Sequence, residues 1–430
     1  MGNTFAVLLL LGSFALLMLI RLPIAFAIGV STIITTFYLG IPLQVIAQGM
    51  VKGVNSFVLL AVPFFIVAGE IMSEGGISNR LIKFSNSLVG HFRGGLAYVN
   101  ILASMFLGGI TGSSAADAST IGPLLIPMME KEGYDGDFAT TVTMSGSIQG
   151  ILVPPSHNMI IYSLVAGGVS IGKLFLGGII PGVSLGIALM IYSYFVCVKR
   201  NYPVGAPFSW KRVWKELWGS LLGLLTVLIV VGGVITGIFT ATESAAIATV
   251  YAFIVTFFVY REIPISRMSL ILGRSIKTLS IVLILIATSS GFGWLLAYLQ
   301  VPVMVSNGIL GLTHNKILVL LIINAVLLFL GMIMDMSSII LIATPILLPI
   351  VLHIGVDPVH FGIIMMLNLG IGLLTPPVGG TLFIGSAISK ISIEKLTKSL
   401  LPFYAVMVVV LILITYIPQI SLFLPHIFMP

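Results

Sequence analysis

Gly150-Ile151-Leu152-Val153-Pro154-Pro155-Ser156 and Gly372-Leu373-Leu374-Thr375-Pro376-Pro377-Val378 are two apolar segments, each broken by a proline pair, and they lie 222 residues apart. The same offset of 222 carries Pro123, Leu125, Pro127, Gly133, Asp135, Lys173 and Leu174 onto Pro345, Leu347, Pro349, Gly355, Asp357, Lys395 and Leu396. In a chain that lives in lipid, two halves with breaks at corresponding places point to a substrate and ion site at the interface of the repeats.

Composition puts the chain in lipid. Of 430 residues, 58% are hydrophobic and 8% charged, and the mean hydropathy of +1.19 is far above that of a water-soluble domain. Strand-like alternation with regular turns is missing, which disfavours a transmembrane barrel and favours helices. Crossings are expected at 4-20, 22-39, 55-72, 138-165, 172-198, 217-236, 241-260, 278-298, 358-388 and 399-424. The first is read as a retained span, since no basic region precedes it and no small-residue cleavage signal follows it. Cys197, the single cysteine, can form neither an internal disulfide nor a cysteine cluster for zinc.

Two further apolar segments, 95-130 and 316-352, are interrupted near their midpoints, at Thr111-Gly112-Ser113-Ser114 and at Asp335-Met336-Ser337-Ser338. Each half spans only about 16 residues, short for a crossing at about 1.5 Å per residue, so each segment is expected to fold back as a re-entrant hairpin. Segments 76-93 and 299-315 are expected to be interfacial helices leading into the hairpins. With both termini outside, 17 of the 20 Lys and Arg residues fall on the cytoplasmic face, leaving Lys52, Lys173 and Lys316 outside. The net charge of +7 therefore reads as topology and contact with anionic headgroups of the lipid bilayer, not as nucleic-acid binding. Five crossings separate the hairpins, and an odd number inverts the second repeat relative to the first.

The chemistry is expected at four breaks: two hairpin tips and two proline pairs. Proline removes a donor and disfavours helix in the residue before it, so nearby carbonyls lose their intrahelical partners and must be satisfied by protein, water or an ion. Freed carbonyls beside hydroxyls suit Na⁺, and half-helix N-termini suit a carboxylate. A first sodium site is expected from Ser113 and Ser114, with carbonyls of Gly150, Val153 and Pro154 and the Ser147 hydroxyl. A second is expected from Asp335, Ser337 and Ser338 with Gly372, Thr375 and Gly379. The substrate is placed between them, against Ser114, Ser156, His157, Asn158 and Thr375, because His157 and Asn158 can donate to an oxyanion. The blander readings are that the prolines and glycines only kink packed helices and that Asn158 caps one.

Asp335, an acid inside an apolar hairpin, is expected to balance the charge of Na⁺, whereas Asp117 suits a structural role, holding its hairpin by hydrogen bonds. Glu70 and Glu243, near span ends, are read as structural. The histidines lack metal-ligand spacing, so no transition-metal centre is expected. Gly167-Gly168-Val169-Ser170-Ile171-Gly172-Lys173-Leu174 nearly matches a phosphate loop, but Leu174 stands where Ser or Thr must reach Mg²⁺ and no strand precedes it, so ATP binding is rejected.

With these motifs placed, the chain resembles over essentially its full length the large membrane (M) subunit of tripartite ATP-independent periplasmic (TRAP) transporters, the DctM family. The resemblance rests on Gly108-Gly109-Ile110-Thr111-Gly112-Ser113-Ser114-Ala115-Ala116-Asp117, Pro154-Pro155-Ser156 with Tyr162, Lys173-Leu174-Phe175, Pro181-Gly182 and Thr375-Pro376-Pro377-Val378-Gly379. It implies an all-α polytopic membrane protein built from inverted repeats, an elevator-type transporter similar to the ion transporter superfamily. The implied units are scaffold and arm helix at 1-94, transport-domain half at 95-198, second scaffold and arm at 199-315, and second transport half at 316-430. The resemblance further implies a Na⁺-driven importer of the bacterial inner membrane, served by a small four-helix membrane subunit (Q) and a periplasmic substrate-binding protein (P). The small subunit is not in this chain, as in the unfused form. Family substrates are mostly organic acids, and Pro154-Pro155-Ser156-His157-Asn158 looks more like members that take sugar acids such as sialic acid than C4-dicarboxylate members. An ion channel would use similar breaks but needs a continuous pore, and an intramembrane enzyme needs a nucleophile and base or a metal pair that the motifs lack.

Overall fold

The computed structural model describes residues 2–429, whose regular structure is entirely helical apart from one isolated backbone bridge between Arg93 and Val204. The first half runs α1 (Gly2–Leu19), α2 (Ile24–Tyr38), α3 (Leu43–Val54), α4 (Ala61–Glu74) and α5 (Ile77–Val89). It continues with the hairpin α6 (Gly95–Thr111) and α7 (Ser114–Lys131), the broken run α8 (Gly136–Ser147), α9 (Gln149–Leu152) and α10 (His157–Val165), and α11 (Ile171–Lys199). The second half runs α12 (Trp210–Ile235), α13 (Ala241–Ile254), α14 (Met268–Tyr298) and α15 (Val301–Leu312). Then come the hairpin α16 (Lys316–Ile333) and α17 (Met336–His353), the broken run α18 (Pro358–Gly372) and α19 (Gly380–Ser389), α20 (Ile393–Tyr416) and α21 (Gln419–Phe428).

Of the described helices, 8 are long and apolar enough to cross a membrane by length and composition. Side chains such as Leu8, Phe37, Leu228, Ile276, Phe329 and Leu413 stand exposed around the molecule, an apolar surface that only lipid or a partner helix can satisfy.

Several expected crossings are revised. The run at 399-424 ends at Tyr416, because Pro418 cannot continue the helix, and α21 starts afresh at Gln419. The run at 55-72 opens as a 3₁₀ turn at Phe57–Leu60 before α4, and α14 begins ten residues before the expected 278, at Met268. The amphipathic helix α3 was not anticipated at all. The interfacial helices are shorter than expected, at Ile77–Val89 and Val301–Leu312.

Both hairpins form, but not because their arms are short. The arms number 17 and 18 residues in the first and 18 and 18 in the second, each nearly long enough to cross. What reverses the chain is the local turn: Gly112 takes φ +63°, a left-handed geometry that glycine adopts without a Cβ clash, and Ser113 immediately caps α7 by accepting from the Ala116 N–H at 3.4 Å. The reversal is closed at the open ends, where Asn100 near the start of α6 donates to the Met129 sulfur near the end of α7 at 3.7 Å, and Lys316 donates to the Gly355 carbonyl at 3.0 Å.

Each hairpin is pressed onto the broken run of its own half through glycine. A Cβ on Gly108 would sit 2.2 Å from Gly150 Cα, and one on Gly372 would sit 2.5 Å from Gly331 Cα. Buried asparagines pin the same contact: Asn100 donates to Thr143 at 2.7 Å, and Asn368 donates to Asn324 at 2.8 Å while Asn324 donates to Thr415 at 3.1 Å. At the end of α11, Asp135 accepts from Tyr202 at 2.7 Å and Arg200 at 2.6 Å, and these contacts hold its carboxyl below the usual carboxylate range.

Because the glycine crossing is backbone on backbone, no flexible side chain can yield. Gly108→Ala is expected to destabilise by about 1–3 kcal/mol, the ordinary cost of overpacking. Gly219→Ala, with nothing within 4 Å of its added Cβ, is expected to leave stability unchanged or raise it. Thermal midpoints of the two variants in detergent check this; equal midpoints would remove the close-approach argument.

Candidate functional site

In an uninterrupted α-helix the carbonyls of Gly150 and Ile151 would accept from residues 154 and 155, but both are prolines and have no N–H. Among the described residues no backbone or side-chain donor replaces them, although Gly150 and Ile151 are buried. The corresponding carbonyls of the second half are re-satisfied: Gly372 accepts from the Thr375 N–H at 2.9 Å, and Leu373 accepts from the Thr381 N–H at 3.0 Å. Gly372, expected in the second sodium site, therefore has a carbonyl oxygen that already holds one hydrogen bond. Both Pro-Pro peptide bonds are cis.

The hairpin tips lie against these breaks. A Cβ on Gly112 would come within 2.9 Å of the Pro155 carbonyl, and the Val378 N–H donates to the Met332 carbonyl at 3.0 Å. Ser114 and Ser147, both buried, share a hydrogen bond of 2.7 Å, so two residues of the first expected sodium site are in direct contact. Ser113 lines the cavity beside them, and Val153 and Pro154 form the extended turn after α9.

The two halves interlock. Ser114 also meets the Thr381 hydroxyl at 3.1 Å, and Ser337 donates to the Asn158 side-chain oxygen at 3.2 Å. Asn158 is therefore a link between hairpin and broken helix, not a cap; the N-cap of α10 is Ser156. Between the tips lies a chamber of about 210 Å³ bounded by Ser113, Ser114, His157, Asn158, Asp335, Ser337 and Thr381. It adjoins a larger cavity of about 800 Å³ that reaches from His157 and Asp335 to Glu70, Glu74 and Arg274 on α4 and α14.

Asp335 lies deep in the fold with its side chain open to the cavity, and it caps α17 by accepting from the Ser337 N–H at 3.0 Å. Ser338 is buried beside it, and Gly379, at φ +45°, starts α19 in a geometry that favours glycine. Three expectations for the site do not hold. Thr375 lines neither cavity, because its hydroxyl donates back to the Ile371 carbonyl at 2.8 Å. Ser156 is buried behind His157, lines neither cavity, and its hydroxyl is unpartnered. Asp117, expected to brace the hairpin, is fully buried with neither oxygen hydrogen-bonded, and its polar neighbour, the Ser104 hydroxyl across the hairpin, is equally unpartnered. Glu243 does have the structural role expected, closing a capping box with Thr240. Glu70, read as structural, lies on the cavity wall.

Thr381, Arg274 and Glu74 are among the cavity residues that sequence reasoning missed. The residue 222 positions before Thr381 is Met159, so the repeat gave no signal for it. Arg274 had been read only as a cytoplasmic charge.

Residues 11–420 match the family described as the tripartite ATP-independent periplasmic transporter, DctM component. The chain belongs to this family. Among DctM-related proteins it is 44% identical over 429 residues to the uncharacterized protein YgiK of Salmonella typhimurium, covering 99% of this chain and 98% of that one. It is 39% identical over 383 residues to the sialic acid TRAP transporter large permease protein SiaM of Vibrio cholerae, covering 89% and 90% respectively. The fold is similar to that of the YdaH transporter of Alcanivorax borkumensis, with a TM-score of 0.62, 14% identity and coverage of 87% of this chain and 88% of that one. As a DctM-family permease, the chain is a multi-pass protein of the bacterial inner membrane and a secondary transporter of organic acids rather than an enzyme.

If the Ser114–Thr381 contact ties the halves together, Ser114→Ala and Thr381→Val should be non-additive. A double-mutant cycle on thermal or denaturant stability is expected to give a coupling of about 0.5–1.5 kcal/mol. Strict additivity would mean that the two hydroxyls do not interact.

Proposed function

We propose that this chain is the large subunit of a Na⁺-coupled importer that moves a small organic acid across the inner membrane by an elevator motion. The acid arrives from a periplasmic substrate-binding protein (P), and a small four-helix membrane subunit (Q) completes the scaffold. The observation that carries the sodium reading is the pair of buried carbonyls, Gly150 and Ile151, left without donors in a break whose Ile151 lines the same chamber as Ser114, itself hydrogen-bonded to Ser147. Unpaired carbonyl oxygens with adjacent hydroxyls are the donor set of a hard monovalent cation, and a buried unsatisfied acceptor costs free energy that a bound ion returns.

The second cation site is assigned to the tip of the other hairpin. There Asp335 and Ser337, with Ser338 beside them, share a chamber with Leu373 and Gly380 of the second break, and the Asp335 carboxylate balances the ion's charge. The substrate acid sits in the chamber between the tips. His157 and the Ser113 and Thr381 hydroxyls supply donors to its oxygens, and the N-termini of α7 and α17 add their partial positive charge. The moving body comprises the hairpins and broken helices, residues 95-198 and 316-430, which slide against 1-94 and 199-315. Sialic acid is the favoured substrate, on the likeness to SiaM and the Pro154–Asn158 string, with C4-dicarboxylates as the competing class.

Uptake into proteoliposomes containing the chain, its small subunit and the binding protein tests the proposal. An inward Na⁺ gradient is expected to drive accumulation of labelled sialic acid, and equal uptake in choline chloride would remove the coupling. Ser114→Ala and Asp335→Ala are each expected to raise the Na⁺ concentration for half-maximal uptake about tenfold, the weight of one ion ligand taken as a charge-assisted contact. Large currents uncoupled from uptake would instead favour a channel.

A further inference from the structure

The larger cavity is walled on one side by the hairpin tips and His157, and on the other by α4 and α14, which pack with α13, α3 and α2. Its described lining contains one guanidinium, Arg274, against three carboxylates, Glu70, Glu74 and Asp335. An organic acid entering such a space is repelled by the carboxylates, so the single fixed cation is its natural anchor. Arg274 is not idle: its Nη1 donates to Glu74 at 2.5 Å. That contact engages one of five guanidinium N–H groups, and the side chain, 53% exposed, lines the cavity with donors to spare.

We propose that Arg274 is the scaffold-side receptor for the acid group of the transported substrate, and that Glu74 is its built-in competitor. The inference rests on the reading of the cargo as an organic acid. A carboxylate released from His157 and Ser113 exchanges with Glu74 on the guanidinium, and Glu74 retakes it as the substrate departs. Glu70 lies one turn before Glu74 on the same face of α4, so the guanidinium has two carboxylates to return to. Binding is thereby kept weak enough to let go, which an importer needs on its discharge side. Because Arg274 belongs to α14 and not to a hairpin, this contact exists only while the tips face that wall.

A purely structural role, bracing α4 to α14, makes a different prediction. Glu74→Gln and Arg274→Gln both break the brace and would shift every property in the same direction. On the present proposal they act oppositely on anion binding. Titration of the full-length chain with its small subunit in nanodiscs, with and without NaCl, uses N-acetylneuraminate and succinate as probes. Glu74→Gln is expected to tighten binding several-fold. Arg274→Gln is expected to weaken it about tenfold, the weight of a charge-assisted hydrogen bond, with Arg274→Lys intermediate because the fork is lost but the charge kept. Movement of both Gln variants in one direction, or of neither, overturns the proposal. Opposite shifts in a wild type whose binding ignores Na⁺ would refute sodium coupling and leave the Arg274 assignment standing. A wild type that binds neither probe overturns both.

Discussion

Every buried peptide group in a bilayer needs a partner, and this chain places prolines where the partners of Gly150, Ile151, Gly372 and Leu373 should be. The two halves answer that constraint differently. In the second, Thr375 and Thr381 turn their N–H groups onto the orphaned oxygens, and the Tyr404 hydroxyl reaches the neighbouring Leu374 carbonyl at 2.6 Å. In the first, nothing comparable arrives among the described residues. Repeats that look equivalent in sequence are therefore unequal in chemistry: the first break leaves carbonyl oxygens without donors, while the second satisfies its own and has the Asp335 carboxylate nearby.

Close packing makes this arrangement communicate. Glycine on glycine brings each hairpin onto its own broken run, and the hydroxyl contacts then cross between halves, Ser114 to Thr381 and Ser337 to Asn158. A shift of either tip breaks a bond held by the other half. The tips and breaks are accordingly one packed unit, and on the proposed reading an ion at one break would bias the geometry at the other through these contacts.

What was legible in the sequence is what backbone chemistry forces. Proline pairs, the glycine at the hairpin turn and a serine or aspartate capping the next helix act locally, so the repeat, the hairpins and the breaks could be read without a structure. Boundaries set by tertiary context were less accessible: α3 is amphipathic where an apolar pattern was sought, and Pro418 was passed over inside an apolar run. Side-chain direction was the least accessible. Thr375 points back along its own helix, Asp117 finds no donor, and Arg274 meets a glutamate 200 residues away in the chain. No periodicity or spacing encodes such meetings.

Charge also bears on the proposed coupling of cation and acid. With its carboxylates ionised, the cavity lining carries Glu70, Glu74 and Asp335 against Arg274, a net of −2 with His157 neutral. Like charges in such a space repel, so an anion entering alone is opposed. A cation seated at the first break and another beside Asp335 would cancel that surplus before the acid arrives. On the proposed reading, coupling then needs no special linkage device. The same fixed carboxylates that exclude a lone anion make the loaded site favourable only when sodium is already in place, and they disfavour a half-loaded carrier that would dissipate the gradient.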